Sequence, residues 1–220
     1  MQRFSWEPEL GGRIIVVDKD DLSKKQIFDA PTGFVFHFGQ AQQHDKHINL
    51  VASWHRTPEI MATGMYDVLT SDEVNYNKSH ASILTINTDT GSVQLSESGH
   101  ELEFPSFDQY RGGDTVFGVG RKPNSNHHYA NSTLAWNSQS GRVDEYFFDD
   151  GIIAEEPLYI ADTNSSKAGA GWLLQSALNY RDSRTELFVF DAQNIKSGPV
   201  AVATMDRSTP LGFHGTFIPV

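Results

Sequence analysis

The chain has 220 residues, with 17 Lys and Arg against 28 Asp and Glu, a formal net charge of −11, nine His and no Cys. The acidic balance, with no run of five basic residues, excludes the electrostatic footprint of a nucleic-acid or anionic-membrane partner. The lack of Cys excludes disulfides, Cys-ligated zinc, iron–sulfur clusters and thiol nucleophiles. No apolar run approaches the roughly eighteen residues of a transmembrane segment, and the opening "MQRFSWEPELGGR" lacks a signal peptide's apolar centre, so a cytoplasmic location is expected.

Apolar residues come in short bursts rich in Val, Ile, Phe and Tyr, separated by clusters of Asp, Asn, Gly and Ser, which is the composition of an all-β chain of strands and turns. Four segments in chain order share one plan of strand, polar turn, second strand, special residue and third strand. The first is "GRIIVVDKDDLSKKQIFDAPTGFVFHFGQA", continuing through "INLVASW". The stretch "PEIMATGMYDVLTSDEVNY" that follows is the one candidate for a helical turn or long loop. The second is "ASILTINTDTGSVQLSESGHELEFPSF" with "TVFGVG", the third "STLAWNSQSGRVDEYFFDDGIIAEEPLYIA" with "GWLLQSALNY", and the fourth "TELFVFDAQNIKSGPVAVATMDRSTPLGFHGTFIPV".

Each first strand ends on a residue suited to an Asx turn: Asp18, Asn87, Asn137 and Asp191. These lie 69, 50 and 54 residues apart by subtraction, the scale of a four-stranded propeller blade. Beyond each turn comes one ionisable residue in an apolar setting, His37, Glu103, Glu156 and His214, at offsets of 19, 16, 19 and 23 residues. A propeller brings equivalent positions of successive blades towards its axis, where imidazoles suit iron, zinc or copper and a carboxylate can fix a ligating ring's tautomer. The competing reading makes Glu103 and Glu156, in "EFP" and "EEP", the punctuation of edge strands that tolerate proline. His44 and His47 in "HDKH", with His55, His80, His100, His127 and His128, read as loop residues, and the paired acids Asp149–Asp150 and Glu155–Glu156 read as solvated turns before they read as a glycosidase pair. No nucleophile elbow, P-loop, H-E-x-x-H or EF-hand loop is present.

The blocks "FVFHFGQA", "LEFPSF", "AEEPLYIA" with "GWLLQSALNYRDSRTELFVFDA", and "PLGFHGTFIP" resemble the carotenoid oxygenase family, whose members include carotenoid cleavage dioxygenases, stilbene-cleaving dioxygenases and the retinoid isomerase. The resemblance implies a seven-bladed β-propeller with non-haem Fe(2+) held by four histidines, three of them supported by glutamates. Residue by residue, it makes His37 and His214 the third and fourth iron ligands, Glu103 the support of His37, and Glu156 the support of His214. The family's first two histidines lie upstream of the "FHFGQA" block, and the 36 residues before His37 contain none. Residues 1–220 are therefore expected to be the C-terminal part, about four blades, with half of the ligand set and an N-terminal half missing. After His37 the family continues Asn-Ala-aromatic-Glu, whereas this chain has "GQAQQ", with Gln42 and Gln43 near the place of the Glu. The implied reaction is oxidative cleavage of a conjugated double bond in a carotenoid, apocarotenoid or stilbene by O2. The alternative is a non-catalytic propeller fragment acting as a binding or assembly module.

Overall fold

A computed structural model describes residues 5–61, 78–123 and 129–218. It carries fourteen strands among those residues: β1 (Gly12–Val17), β2 (Lys25–Ala30), β3 (Phe34–His44), β4 (His47–His55), β5 (His80–Asn87), β6 (Val93–Glu97), β7 (Glu103–Phe107), β8 (Thr115–Gly120), β9 (Ser132–Asn137), β10 (Val143–Phe147), β11 (Ile152–Ala161), β12 (Gly171–Asn179), β13 (Arg184–Asp191) and β14 (Ala201–Thr204). Most of the candidate helix, together with His127 and His128, lies outside the described residues.

The strands form three four-stranded antiparallel sheets, β3-β4-β5-β6, β7-β8-β9-β10 and β11-β12-β13-β14, preceded by the two-stranded hairpin β1-β2. The about four blades expected are thus three full sheets and a half-blade of two strands. The Asx residues join the last two strands of each unit, as their side chains require: Asp18 Oδ1 accepts from Asp20 N at 2.9 Å, Asn87 Oδ1 from Asp89 N at 3.0 Å, Asn137 Oδ1 from Ser140 N at 2.8 Å and Asp191 Oδ1 from Gln193 N at 2.9 Å. The sequence repeat is real, but its frame is offset from the sheets. Each full sheet opens on the strand that carries His37, Glu103 or Glu156, and closes on the hairpin after the Asx turn.

The chain divides into two compact units, Met1–Gly99 and His100–Val220. In the first, Trp54, Ala52 and Leu84 form the buried centre, with Ile14, Val35, Leu50, Val93 and Leu95 against them. In the second, a larger core gathers Phe117, Phe148, Leu173, Phe188, Phe190 and Ile195 among others, the aromatic rings meeting mainly edge-on, as in Phe148–Phe188 at 5.0 Å and 71°. Burying each such ring stabilises the fold by about 1.5–3 kcal/mol relative to leaving it in water.

The first strand of each four-stranded sheet is interrupted near its start. In β3–β4 the register jumps between Val35↔Trp54 and Phe38↔Ala52, so Phe36 and His37 together face Ser53. In β7–β8 it jumps between Glu103↔Val119 and Ser106↔Phe117, so Phe104 and Pro105 face Gly118. In β11–β12 it jumps between Ala154↔Ala177 and Pro157↔Gln175, so Glu155 and Glu156 face Ser176. Two residues opposing one is a β-bulge, which bends the strand and re-aims its side chains. Space explains the small residue opposite: a Cβ built on Gly118 would lie 2.7 Å from the Glu103 carbonyl oxygen and 2.9 Å from Leu102 Cγ.

His214 departs from the repeat. The repeat called for a third strand after His214, but among the described residues no strand follows β14, and residues 205–218 run as an exposed, irregular strap. The cause is where its backbone groups go. Met205 N donates to the Thr185 carbonyl at 2.9 Å, Thr209 N to Thr185 Oγ1 at 2.9 Å, Gly212 N to Glu155 Oε1 at 3.2 Å and Gly215 N to Glu156 Oε2 at 2.8 Å. Beyond Met205 these bonds end on side chains, and Pro210 has no N–H to give a ladder.

Candidate functional site

Glu156 and His214, which are 58 residues apart in sequence, meet in the His100–Val220 unit. His214 Nδ1 lies 3.3 Å from Glu156 Oε1, and the other carboxylate oxygen accepts the Gly215 amide. One carboxylate therefore fixes both the ring and the backbone beside it. The bulge turns Glu156 towards the strap, and proline is tolerated at the next position because β11 is the first strand of its sheet. The edge-strand reading of "EEP" holds, and the same geometry brings Glu156 to His214. Phe104 places its ring edge-on to the imidazole, with centroids 5.7 Å apart at 76°. Its backbone sits at φ 52°, the left-handed region that a bulky residue occupies only under local strain.

Beneath the strap is a cavity of about 110 Å³, floored by Leu158, Leu174 and Leu187 and edged by Glu155, Glu156 and His214. Glu155 is 9% exposed, Ser176 Oγ donates to its Oε2, and the buried Gln175 amide donates to its carbonyl at 2.7 Å. Glu155 and Glu156 are thus not a solvated turn, whereas Asp149 and Asp150 are exposed between β10 and β11. A pair of neighbouring acids reads as surface by composition. Only the bulge, with the serine opposite it, makes these two point at a loop that arrives from far along the chain.

Glu103 stands at the start of β7, one residue before the bulge, so it is not at the position that His37 and Glu156 share, the second residue of theirs. His37 belongs to the Met1–Gly99 unit, on β3, with Phe36 tilted against it at 6.0 Å. Among the described residues no group of three or more His, Asp or Glu side chains forms a metal cage.

Of the histidines read as loop residues, His100 lies between β6 and β7 as expected, whereas four others stand on strands. His44 and His47 end β3 and begin β4 across a two-residue turn with Asp45 at φ 52°. His55 is the last residue of β4, 1% exposed, with Phe36 edge-on to its ring at 6.0 Å. His80 opens β5 opposite Trp54.

A second polar network lies around the turn after β7 and the end of β11. Asp108 accepts the amides of Tyr110 and Arg111 and, at 3.2 Å, the Tyr159 hydroxyl, while Arg111 Nη2 donates to the Asp162 carbonyl at 2.6 Å. Burial pushes the Tyr159 hydroxyl up to about 12, with the Asp108 charge adding to it. Burial also opposes ionisation of Asp108, but the amides of Arg111 and Tyr110 and the Tyr159 hydroxyl outweigh it and hold the carboxyl below its ordinary value.

Antiparallel blade-like sheets, each opening on a bulged strand, with an imidazole steadied by a glutamate from one bulge, define a partial β-propeller. The profile of the RPE65 family, retinal pigment epithelial membrane protein, matches residues 1–219. The chain belongs to this family, that of the carotenoid oxygenases.

Its similarity to isoeugenol monooxygenase of Pseudomonas nitroreducens is 28% identity over 89 residues, 40% of this chain and 19% of that protein. With resveratrol cleavage oxygenase 1 of Chaetomium globosum it is 35% over 79 residues, 36% of this chain and 13% of that protein. The cobalt-substituted apocarotenoid oxygenase of Synechocystis superposes with a TM-score of 0.88 at 21% identity, covering 98% of this chain and 46% of that one. The chain thus spans less than half the length of that structural neighbour. Among the described residues no helix is long and apolar enough to cross a membrane.

Proposed function

We propose that this chain is the C-terminal part of a non-haem Fe(II) dioxygenase that cleaves a conjugated carbon–carbon double bond in a carotenoid, an apocarotenoid or a stilbene. The observation that carries the reading is the His214–Glu156 pair on the bulge of β11, in a chain of this family. A carboxylate at Nδ1 keeps the proton there and leaves Nε2 as the donor atom for a metal. That chemistry fits a neutral imidazole ligand. His37 and His214 would hold the iron, Glu156 would orient His214, and Glu103 is assigned to His37. The two further histidines of a four-imidazole set would come from chain outside residues 1–220.

Bound Fe(II) would activate O2 for insertion across the double bond. The chain's own part is positional. Glu156 holds the Nδ1 proton and the Gly215 amide, Phe104 backs the imidazole with its ring edge, and Leu158, Leu174 and Leu187 keep the ground beneath the strap apolar.

In a protein carrying the full ligand set, His214→Ala is expected to abolish both iron retention and oxygen uptake with stilbene or apocarotenoid substrates. Glu156→Gln should weaken metal affinity about ten- to a hundredfold. Undiminished oxygen uptake in His214→Ala would overturn the proposal. For residues 1–220 alone two imidazoles cannot enclose the metal, so metal analysis should find weak iron binding, and stoichiometric chelator-resistant iron would contradict that expectation.

A further inference from the structure

We propose that Glu155 is a positioning residue for His214, acting through the backbone of the strap, while Glu156 acts on the imidazole itself. The two adjacent carboxylates share one bulge and face the single residue Ser176. Glu155 is fixed at both ends: Gln175 Nε2 donates to its carbonyl at 2.7 Å, and Ser176 Oγ donates to its Oε2. Its remaining oxygen, Oε1, accepts the Gly212 amide at 3.2 Å, two residues before His214. Glu156 takes the ring at 3.3 Å and the Gly215 amide at 2.8 Å, one residue after it.

His214 is thus bracketed by amides pinned to neighbouring carboxylates on one strand. This matters because the strap forms no ladder there and the His214 side chain is 59% exposed, so its backbone anchors add to what Glu156 and Phe104 give the ring. A hydrogen bond to a buried charge is stronger than a neutral one, and a ligand held by a single second partner can still swing with its backbone. With Gly212 released, the strap would pivot on Gly215 and the Nδ1–carboxylate contact would lose its direction. The value of this arrangement for catalysis rests on the reading of His214 as a metal ligand. The pinning itself does not.

The test uses the 220-residue chain. In Glu155→Ala the Gly212 amide should exchange with solvent about tenfold faster or more, as expected for a lost bond to a charged acceptor. The ring nitrogen shifts of His214 should also move from a single Nδ1-protonated form towards a tautomer mixture. Glu155→Gln keeps an oxygen for Gly212 and a polar end for Ser176, and should restore both signals. Glu156→Gln should disturb the ring signals while leaving Gly212 protected.

If Glu155→Ala does not fold, Ser176→Ala decides, and it should speed Gly212 exchange and broaden the ring signals in the same direction. Unchanged Gly212 exchange, or an unchanged His214 ring signature once Gly212 is released, overturns the positioning role. Failure of the full-length protein to bind iron would overturn the metal reading and leave these exchange results standing.

Discussion

At the scale of single residues the site depends on side chains held in positions they would not choose alone. Phe104 sits at φ 52°, where any Cβ is strained, yet its ring backs His214. Phe104→Gly removes ring and strain together, whereas Phe104→Ala removes the ring and keeps the strain. The glycine variant should therefore unfold at the higher denaturant concentration, by about 1 kcal/mol, and the reverse order would show that the backbone there is relaxed. Asp108 gives a pH signature. Its folded carboxyl lies below the ordinary value of 3.8, so the stability it contributes is complete above that value and disappears as pH falls through the lower, folded one. Urea midpoints of the wild type should fall on acidification below about pH 4 more steeply than those of Asp108→Asn, which has no charge to lose.

At the scale of elements, the bulged first strand is the unit that makes a site. A ladder without it would send alternate side chains to the sheet's two faces and leave Glu156 without reach to the strap. The residue facing the first bulge of each four-stranded sheet is small, Ser53, Gly118 or Ser176, while a second bulge in β3 faces Val51. Gly118→Val should cost more than Gly118→Ala, and the alanine already about 1–3 kcal/mol by calorimetry, because its Cβ meets the Glu103 carbonyl. Arg111 ties β7's following turn to the loop after β11 through the carbonyls of Asp162, Lys167 and Ala170. Arg111→Lys should leave Lys167 as open to trypsin as Arg111→Ala does, since an ammonium cannot span three carbonyls.

Much of this was legible in the sequence. The Asx turns announced every outer hairpin, and the imidazole and carboxylate that meet, His214 and Glu156, were both marked by their apolar settings. The bulges were not legible, because period-two patterning carries no sign of an inserted residue. The frame of the repeat and the role of Glu155 were lost with them.

At the scale of the whole molecule, exposed apolar residues mark surfaces without a partner among the described residues. On the β1–β2 hairpin Ile15 and Ile27 are cross-strand neighbours, 58% and 54% exposed. Such a face on a two-stranded hairpin favours self-association. Sedimentation of the 220-residue chain should show concentration-dependent assembly that Ile15→Lys weakens, and a monomer at all concentrations would remove this expectation. The strap has a consequence in time as well as in space. Its anchors on Thr185, Glu155 and Glu156 exist only once β11, β12 and β13 have paired, and the contacts at Glu155 and Glu156 close loops of 57 and 58 residues. Closure of such loops follows the local hairpins. His214 is therefore among the last groups to reach its native place during folding, and a metal taken up through it would bind only chains whose final sheet is already complete.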